Sequence, residues 1–189
     1  YPGFGSSRGP RFPEFPRLEF LIEESAATGD PRGASIARAC VLAMREGAFF
    51  DPLEGGAHRY CAGAAWSQTR FEKLLATQAA AIAALARLQK VSPDPAFDEL
   101  LRGTWDLTQD RLADGAPGAF AAGIAAAPPG APPENFWGWT PEQLRALLPE
   151  NQAQLAGLLW GIELPPLPRP GETPAPAAAP AALRGARTL

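Results

Sequence analysis

The chain has 189 residues, 46% of them apolar and 20% charged, with a formal net charge of −3; this is the make-up of a soluble globular protein with one core and no second full domain. So weak a negative charge argues against a nucleic-acid partner, whose footprint is a basic patch or stripe, and no run approaches the about 18 consecutive apolar residues of a membrane span. Two cysteines and one histidine are too few for a disulfide scaffold or a structural zinc site, so no metal is expected; no cofactor is expected either.

Residues 1–16 carry Gly3-Phe4-Gly5 and Pro10-Arg11-Phe12-Pro13, a loop composition that packs through its phenylalanines. The amino end has no charged-then-apolar secretion pattern. Because the chain opens on Tyr1 rather than Met, a removed upstream segment is expected, with a cytoplasmic or periplasmic location left open. A first helix is predicted over Leu18 to Ala27, with Leu18, Leu21, Ile22 and Ala26 on one stripe. Gly29 suits its stop, Asp30 the next N-cap and Pro31 the first helical position. The second helix reaches Glu46, burying Ile36, Ala37, Cys40, Val41 and Met44, and Gly47 ends it. So short a link makes the pair an antiparallel hairpin.

A glycine-bearing loop follows, Phe50-Asp51-Pro52-Leu53-Glu54-Gly55-Gly56-Ala57-His58-Arg59-Tyr60, leading through Cys61 and Trp66 to Arg70-Phe71-Glu72-Lys73-Leu74-Leu75. Loops of this kind on a helical scaffold are where binding and catalytic groups sit. A third helix is predicted from Ser67 to Gln89, with Phe71, Leu74, Leu75, Gln78, Ile82, Leu85 and Leu88 on one face. A fourth, Pro95 to Leu112 after an Asp94 N-cap, shows Phe97, Leu100, Leu101, Trp105 and Leu112. Short strands are predicted at 118–124 and 136–139, separated by a proline-rich stretch. Thr140-Pro141-Glu142-Gln143 is a capping box opening a helix through Leu148, and another helix runs from Asn151 to Trp160 with Leu155, Leu158 and Leu159. From Leu164 the chain is a Pro/Ala-rich tail without an apolar face. The organisation expected is therefore 1–163 as the domain and 164–189 as an extended or disordered tail.

His58 is the candidate acid or base, since imidazole titrates near neutral pH, with Asp51, Glu54 or Glu72 to orient it; the competing reading is that it fixes the loop through backbone carbonyls. Glu72 and Lys73, adjacent on the predicted helix, cannot point the same way, and one of them is expected in a buried ion pair with Arg59 or Arg70. Cys40 is expected to be a buried small hydrophobe. Whether it bridges to Cys61 is not decided by spacing. No Cys-x-x-Cys, phosphate-cradling Gly-x-x-x-x-Gly-Lys or His-Glu-x-x-His occurs.

The stretches Phe50–Cys61 and Trp66–Gln78 resemble the motifs Tyr-Asp-x-Leu-Gly-Gly-Gly-Phe-His-Arg-Tyr-Ser and Trp-x-Val-Pro-His-Phe-Glu-Lys-Met-Leu-Tyr-Asp-Asn of thioredoxin-domain-containing proteins. The second part of those proteins is a six-hairpin α/α toroid akin to N-acylglucosamine 2-epimerase. The resemblance extends in order from Gly3 to Glu163 and implies helices paired around a ring, of which this chain holds about three hairpins, without the thioredoxin-like part. The departures are chemical. The family's histidine before Phe-Glu-Lys is Arg70, its Val-Pro is Gln68-Thr69, its Tyr-Asp-Asn is Ala76-Thr77-Gln78, and two hairpin aspartates fall on Ala125 and Ala127.

The fold expected is mainly α, with α-α hairpins forming a partial (α/α) toroid, a β-hairpin-like insertion and the Pro/Ala-rich tail. Glycines, aromatics and caps persist while polar groups are lost. That pattern implies a non-catalytic structural or binding subunit docking on a larger protein assembly, a membrane-associated one included, with Arg59, Tyr60, Trp66, Arg70, Trp137 and Trp139 as binding residues. The alternatives are a carbohydrate-active enzyme of epimerase or glycosidase type using His58 and Glu72, and a sugar-binding module without turnover.

Overall fold

The structure, a computed structural model, describes residues 3–4, 9–113, 118–127, 129–130, 138–166 and 181–182. Helix α1 spans Phe15–Thr28, one turn earlier than predicted. Pro16 is tolerated in its first turn, and Glu14, at φ 49° and ψ 37°, turns the chain into it. Gly29 at φ 75° closes the helix, its N–H bonded to the Ser25 carbonyl. Helix α2 spans Arg32–Glu46, and Asp30 Oδ1 accepts the Arg32 N–H at 3.0 Å. Ser25 Oγ ties the hairpin, donating to the Asp30 carbonyl and accepting the Ala34 N–H at 2.9 Å. Gly33 sits on the Leu21 carbonyl, where any Cβ would collide. Ile36 and Ala26, predicted to be buried, are exposed. Ile36 lies on the margin of the stripe Ala37, Cys40, Val41 and Met44, all of which are buried.

The largest departure from the predicted elements is at residues 60–74. Instead of helix from Ser67, strand β1 (Tyr60–Gly63) pairs antiparallel with β2 (Ser67–Arg70), with Tyr60 opposite Arg70 and Cys61 opposite Thr69. A turn at Ala64–Trp66 joins them, with Ala65 and Trp66 at φ 52° and 56°. A third segment adds an edge, since Arg11 bridges Cys61 in antiparallel register. Strand β3 (Lys73–Leu74) follows, and helix α3 begins only at Leu75, running to Val91. Burial alternates along Thr69, Phe71 and Lys73 inward against Arg70 and Glu72 outward. That is the period of a strand, not of a helix.

Helix α4 (Pro95–Leu107) is capped by Asp94, whose side chain accepts the Ala96 N–H at 2.8 Å. A π turn over Thr108–Leu112 ends it. The extra residue in that turn brings Leu112 into the interior, while Trp105, predicted on the apolar face, is exposed. The expected hairpin-like insertion takes another form. Strand β4 (Gly123–Ile124) pairs with β3, whereas β5 (Gly138–Trp139) pairs with β6 (Ala181–Ala182).

Helix α5 (Pro141–Leu147) carries the predicted capping box, Thr140 accepting the Gln143 N–H at 3.2 Å and Gln143 the Thr140 N–H at 2.8 Å. Helix α6 (Glu150–Trp160) buries Ala153, Ala156 and Gly157 rather than Leu155 and Leu158, which are exposed.

Two cores result. The main one joins α1–α4 through Phe15, Leu18, Ile22, Val41, Leu85, Leu88 and Phe97, with Phe49, Phe50 and Trp66 from the loops. Each fully buried large side chain contributes about 1.5–3 kcal/mol. A small one joins Leu144, Ala153 and Ile162 with Trp139, Trp160 and Leu164. Arg145 donates to the Pro165 carbonyl at 2.5 Å. The architecture is mainly α, in the paired-helix arrangement of a partial α/α toroid. No helix among the described residues is long and apolar enough to cross a membrane.

Candidate functional site

The glycine loop is held from beneath by a lysine. Lys73, on β3, is fully buried and donates from Nζ to Asp51 Oδ2 at 2.8 Å, Glu54 Oε2 at 3.0 Å and the Gly55 carbonyl at 2.9 Å. Burial pulls its pKa down, and the Asp51 carboxylate beside it opposes that pull. Asp51 Oδ1 also accepts the Leu53 and Glu54 N–H groups at 2.9 and 3.1 Å. Arg111, on the π turn, pairs with Glu54. The expected contact of Glu72 with Arg59 is present but part-exposed; the buried ion pair that fastens the loop has Lys73 as its cation and Asp51 and Glu54 as its anions. In strand geometry Glu72 faces outward and Lys73 inward.

The loop turns on Gly55 and Gly56, at φ 80° and 81°, where glycine alone is unstrained. Gly55 also packs directly on the backbone of Gly103 in α4. Ala57 is then gripped by Gln78 of α3, which donates from Nε2 to the Ala57 carbonyl and accepts the Ala57 N–H at Oε1, both at 2.7 Å. Gln78 was placed on the apolar face of the third helix. It is buried there, and its amide serves as a backbone clamp.

His58 is 5% exposed. Its backbone N–H bonds the Phe49 carbonyl at 2.9 Å, and its Nδ1 lies 3.3 Å from the Phe71 carbonyl; a carbonyl only accepts, so Nδ1 carries the proton. The ring meets Phe71 edge-on at 5.4 Å. Burial, with the Lys73 ammonium nearby, depresses its pKa to about 4. His58 is thus a neutral, immobilised imidazole at neutral pH.

Glu72 faces the other way. Its Oε1 is 3.7 Å from Arg59 Nη1, and its Oε2 is buried without a hydrogen bond to a described residue. Arg59 also lies over the Tyr60 ring at 5.9 Å, and Tyr60 stacks on Phe12 at 4.8 Å. Arg70 is exposed opposite Tyr60. The structure therefore groups Arg59, Tyr60, Arg70 and Glu72 on one solvent face and separates them from His58. Trp66 is a core residue, packed on Phe49 at 5.3 Å. Trp139 belongs to the small core, and Trp137 lies outside the described residues. Cys40 and Cys61 are both buried free thiols, and burial raises the Cys61 pKa to about 11.

A cleft of about 400 Å³ opens between the glycine loop and α4, lined by Arg45, Asp51, Glu54, Glu99, Asp106 and Trp160 among others. His58, Glu72 and Arg59 do not line it. Most of its charges are already matched: Asp51 and Glu54 by Lys73, and Glu99 by Arg45 at 2.9 Å. Among the described residues no group of His, Cys, Asp and Glu side chains is arranged to hold a metal ion. Reading 67–74 as helix hid the Lys73 cluster and the Phe12 contact; the alternation Thr69, Phe71, Lys73 is the signal that reveals them.

No protein-family profile matches the chain. An uncharacterized protein of Caenorhabditis elegans, B0495.5, is 27% identical over 167 residues, covering 82% of this chain and 22% of its own length. Among solved structures, D-mannose isomerase superposes with a TM-score of 0.50 at 20% identity over 65% of this chain and 30% of the isomerase. The chain thus spans under a third of either protein, and what it shares with the isomerase is the fold.

Proposed function

We propose that this chain is a non-catalytic binding or structural unit: part of an α/α toroid, of the kind found beside thioredoxin-like domains, that serves as a docking scaffold in a larger protein assembly. In this reading residues 1–163 are the scaffold and residues 164–189 a strap along the assembly, a membrane-associated one included. The observation that carries it is the state of the two candidate catalytic groups. His58 is buried and spends its Nδ1 proton on the Phe71 carbonyl, while Glu72 is turned toward Arg59. An acid–base pair needs both groups within reach of one substrate. These two face different directions and neither lines the cleft. The test is a turnover screen by proton NMR against free aldoses, ketoses and N-acyl amino sugars, with His58→Ala and Glu72→Gln as controls. The proposal expects no turnover. Turnover abolished by either substitution contradicts it.

A second reading, a carbohydrate-active enzyme or sugar-binding module, draws on the fold shared with D-mannose isomerase and on the Trp160-walled polar cleft. Titration calorimetry with D-mannose tests it: saturable heat lost in Trp160→Ala supports a sugar-binding cleft, and no heat argues against one.

A further inference from the structure

The solvent side of the β1–β2 ribbon carries a row that neither the loop clamp nor the core uses. Arg11 bridges Cys61 in antiparallel register, which sets Phe12 beside Tyr60, and Tyr60 in turn is opposite Arg70. Phe12, Tyr60 and Arg70 therefore cross three neighbouring segments side by side, and their alternation partners, Arg11, Cys61 and Thr69, are all buried on the other side. Side chains on one face at neighbouring cross-strand positions stand close enough to be read together. The two rings stack at 4.8 Å and 21°, yet Phe12 remains 51% exposed. Arg59 flanks the row over the Tyr60 ring, its side chain 51% exposed and its only ion pair among the described residues the 3.7 Å contact with Glu72. Arg70 is exposed and forms no ion pair with a described residue.

On a chain of net charge −3 this face, among the described residues, holds the guanidinium groups of Arg59 and Arg70 against the Glu72 carboxylate. The exposed Phe12 ring on the half-buried Tyr60 ring, edged by arginines, sets Tyr and Arg, two of the residue types that dominate binding hot spots, side by side, and guanidinium groups select planar carboxylates through paired hydrogen bonds. We infer that the Phe12–Tyr60–Arg70 row, with Arg59, is a docking surface for an acidic peptide segment of a partner protein. An apolar side chain of the partner lies on the two rings and its Asp or Glu carboxylates meet Arg70 and Arg59. Two exposed cations are too few for the basic stripe that nucleic acid needs or the cluster that an anionic membrane needs. This inference rests on the docking reading above and assigns it a face and a partner chemistry.

A phage-displayed dodecapeptide library selected on the immobilised full chain supplies the probe, and the enriched peptide is then labelled with fluorescein for anisotropy. The expected result is enrichment of Asp or Glu next to Phe, Tyr or Leu. Affinity should then fall about tenfold or more in Arg70→Glu and in Phe12→Ala, and stay unchanged in Arg102→Glu, a charge-matched change at an exposed site on α4. Unchanged circular dichroism and melting temperature in Arg70→Glu show that the variant is folded. Peptides without carboxylates, no enrichment, affinity indifferent to Arg70→Glu, or full displacement by millimolar inorganic phosphate each overturn the inference. If the chain still assembles stoichiometrically with a native partner while Arg70→Glu has no effect, the docking reading stands and this face is wrong. If the chain assembles with nothing, the docking reading itself fails.

Discussion

Lys73 Nζ stands 2.8 Å from Asp51 Oδ2 at the floor of the glycine loop, with no solvent contact on the lysine side chain. A charge so placed is kept only because the carboxylates of Asp51 and Glu54 and the Gly55 carbonyl replace its water. Removing it strands the Asp51 carboxylate beside that of Glu54, which keeps Arg111 as its remaining cation. Lys73→Met is expected to destabilise the fold by about 3–5 kcal/mol, read as a lower urea midpoint. The triple change Lys73→Met, Asp51→Asn, Glu54→Gln should recover part of the loss. A Lys73→Met midpoint equal to wild type contradicts the clamp.

Gly55 and Gly103 make an asymmetric pair. At Gly55 a Cβ meets both a φ of 80° and the Gly103 backbone, whereas at Gly103 the nearest atom is the Gly55 Cα at 3.5 Å, an ordinary contact. Gly55→Ala should cost more than about 2 kcal/mol from strain and displacement of α4. Gly103→Ala, in a helix interior, should be neutral or stabilising by up to about 1 kcal/mol. Thermal melts of the two variants decide it, and equal costs would contradict the packing described.

Gln78 offers one donor and one acceptor to the same residue, Ala57. Gln78→Leu keeps the volume but leaves the buried Ala57 N–H and carbonyl without partners, and should cost about 2–4 kcal/mol. Hydrogen exchange at the Ala57 amide should quicken with it. Retained protection at that amide would show that Gln78 is not the clamp.

His58 gives the fold a pH dependence of definite sign. Its folded pKa of about 4 lies below the unfolded value near 6.5, so between these values only the unfolded chain takes up the proton. Stability is complete above pH 6.5 and falls as pH drops toward 4, by on the order of 3 kcal/mol. Denaturation curves at pH 7 and pH 4.5 should differ more for wild type than for His58→Gln. Equal slopes would place His58 in water.

Helix pairing was legible because caps and stripes are local: Gly29, Asp94, the Thr140–Gln143 box, and Leu18 with Ile22 mark themselves by spacing. The site was half legible. The resemblance drew attention to the glycine loop, but Phe71, Leu74 and Leu75 fit a helical face as well as a strand entering a helix, and the apolar run hid the switch of period at Lys73. Partners distant in sequence, such as Arg11 with Cys61 and Gly55 with Gly103, leave no local mark. Nor does the exposure of Trp105, Leu155 and Leu158, because an apolar residue reads the same whether it faces a core or an outer surface.

The most direct test of the docking account is the mass of the native species containing this chain, isolated gently from its source and measured by light scattering with mass-spectrometric identification of each component. The account predicts a particle heavier than the polypeptide that carries the chain, with partners in fixed stoichiometry. A stable monomer with nothing bound would contradict it.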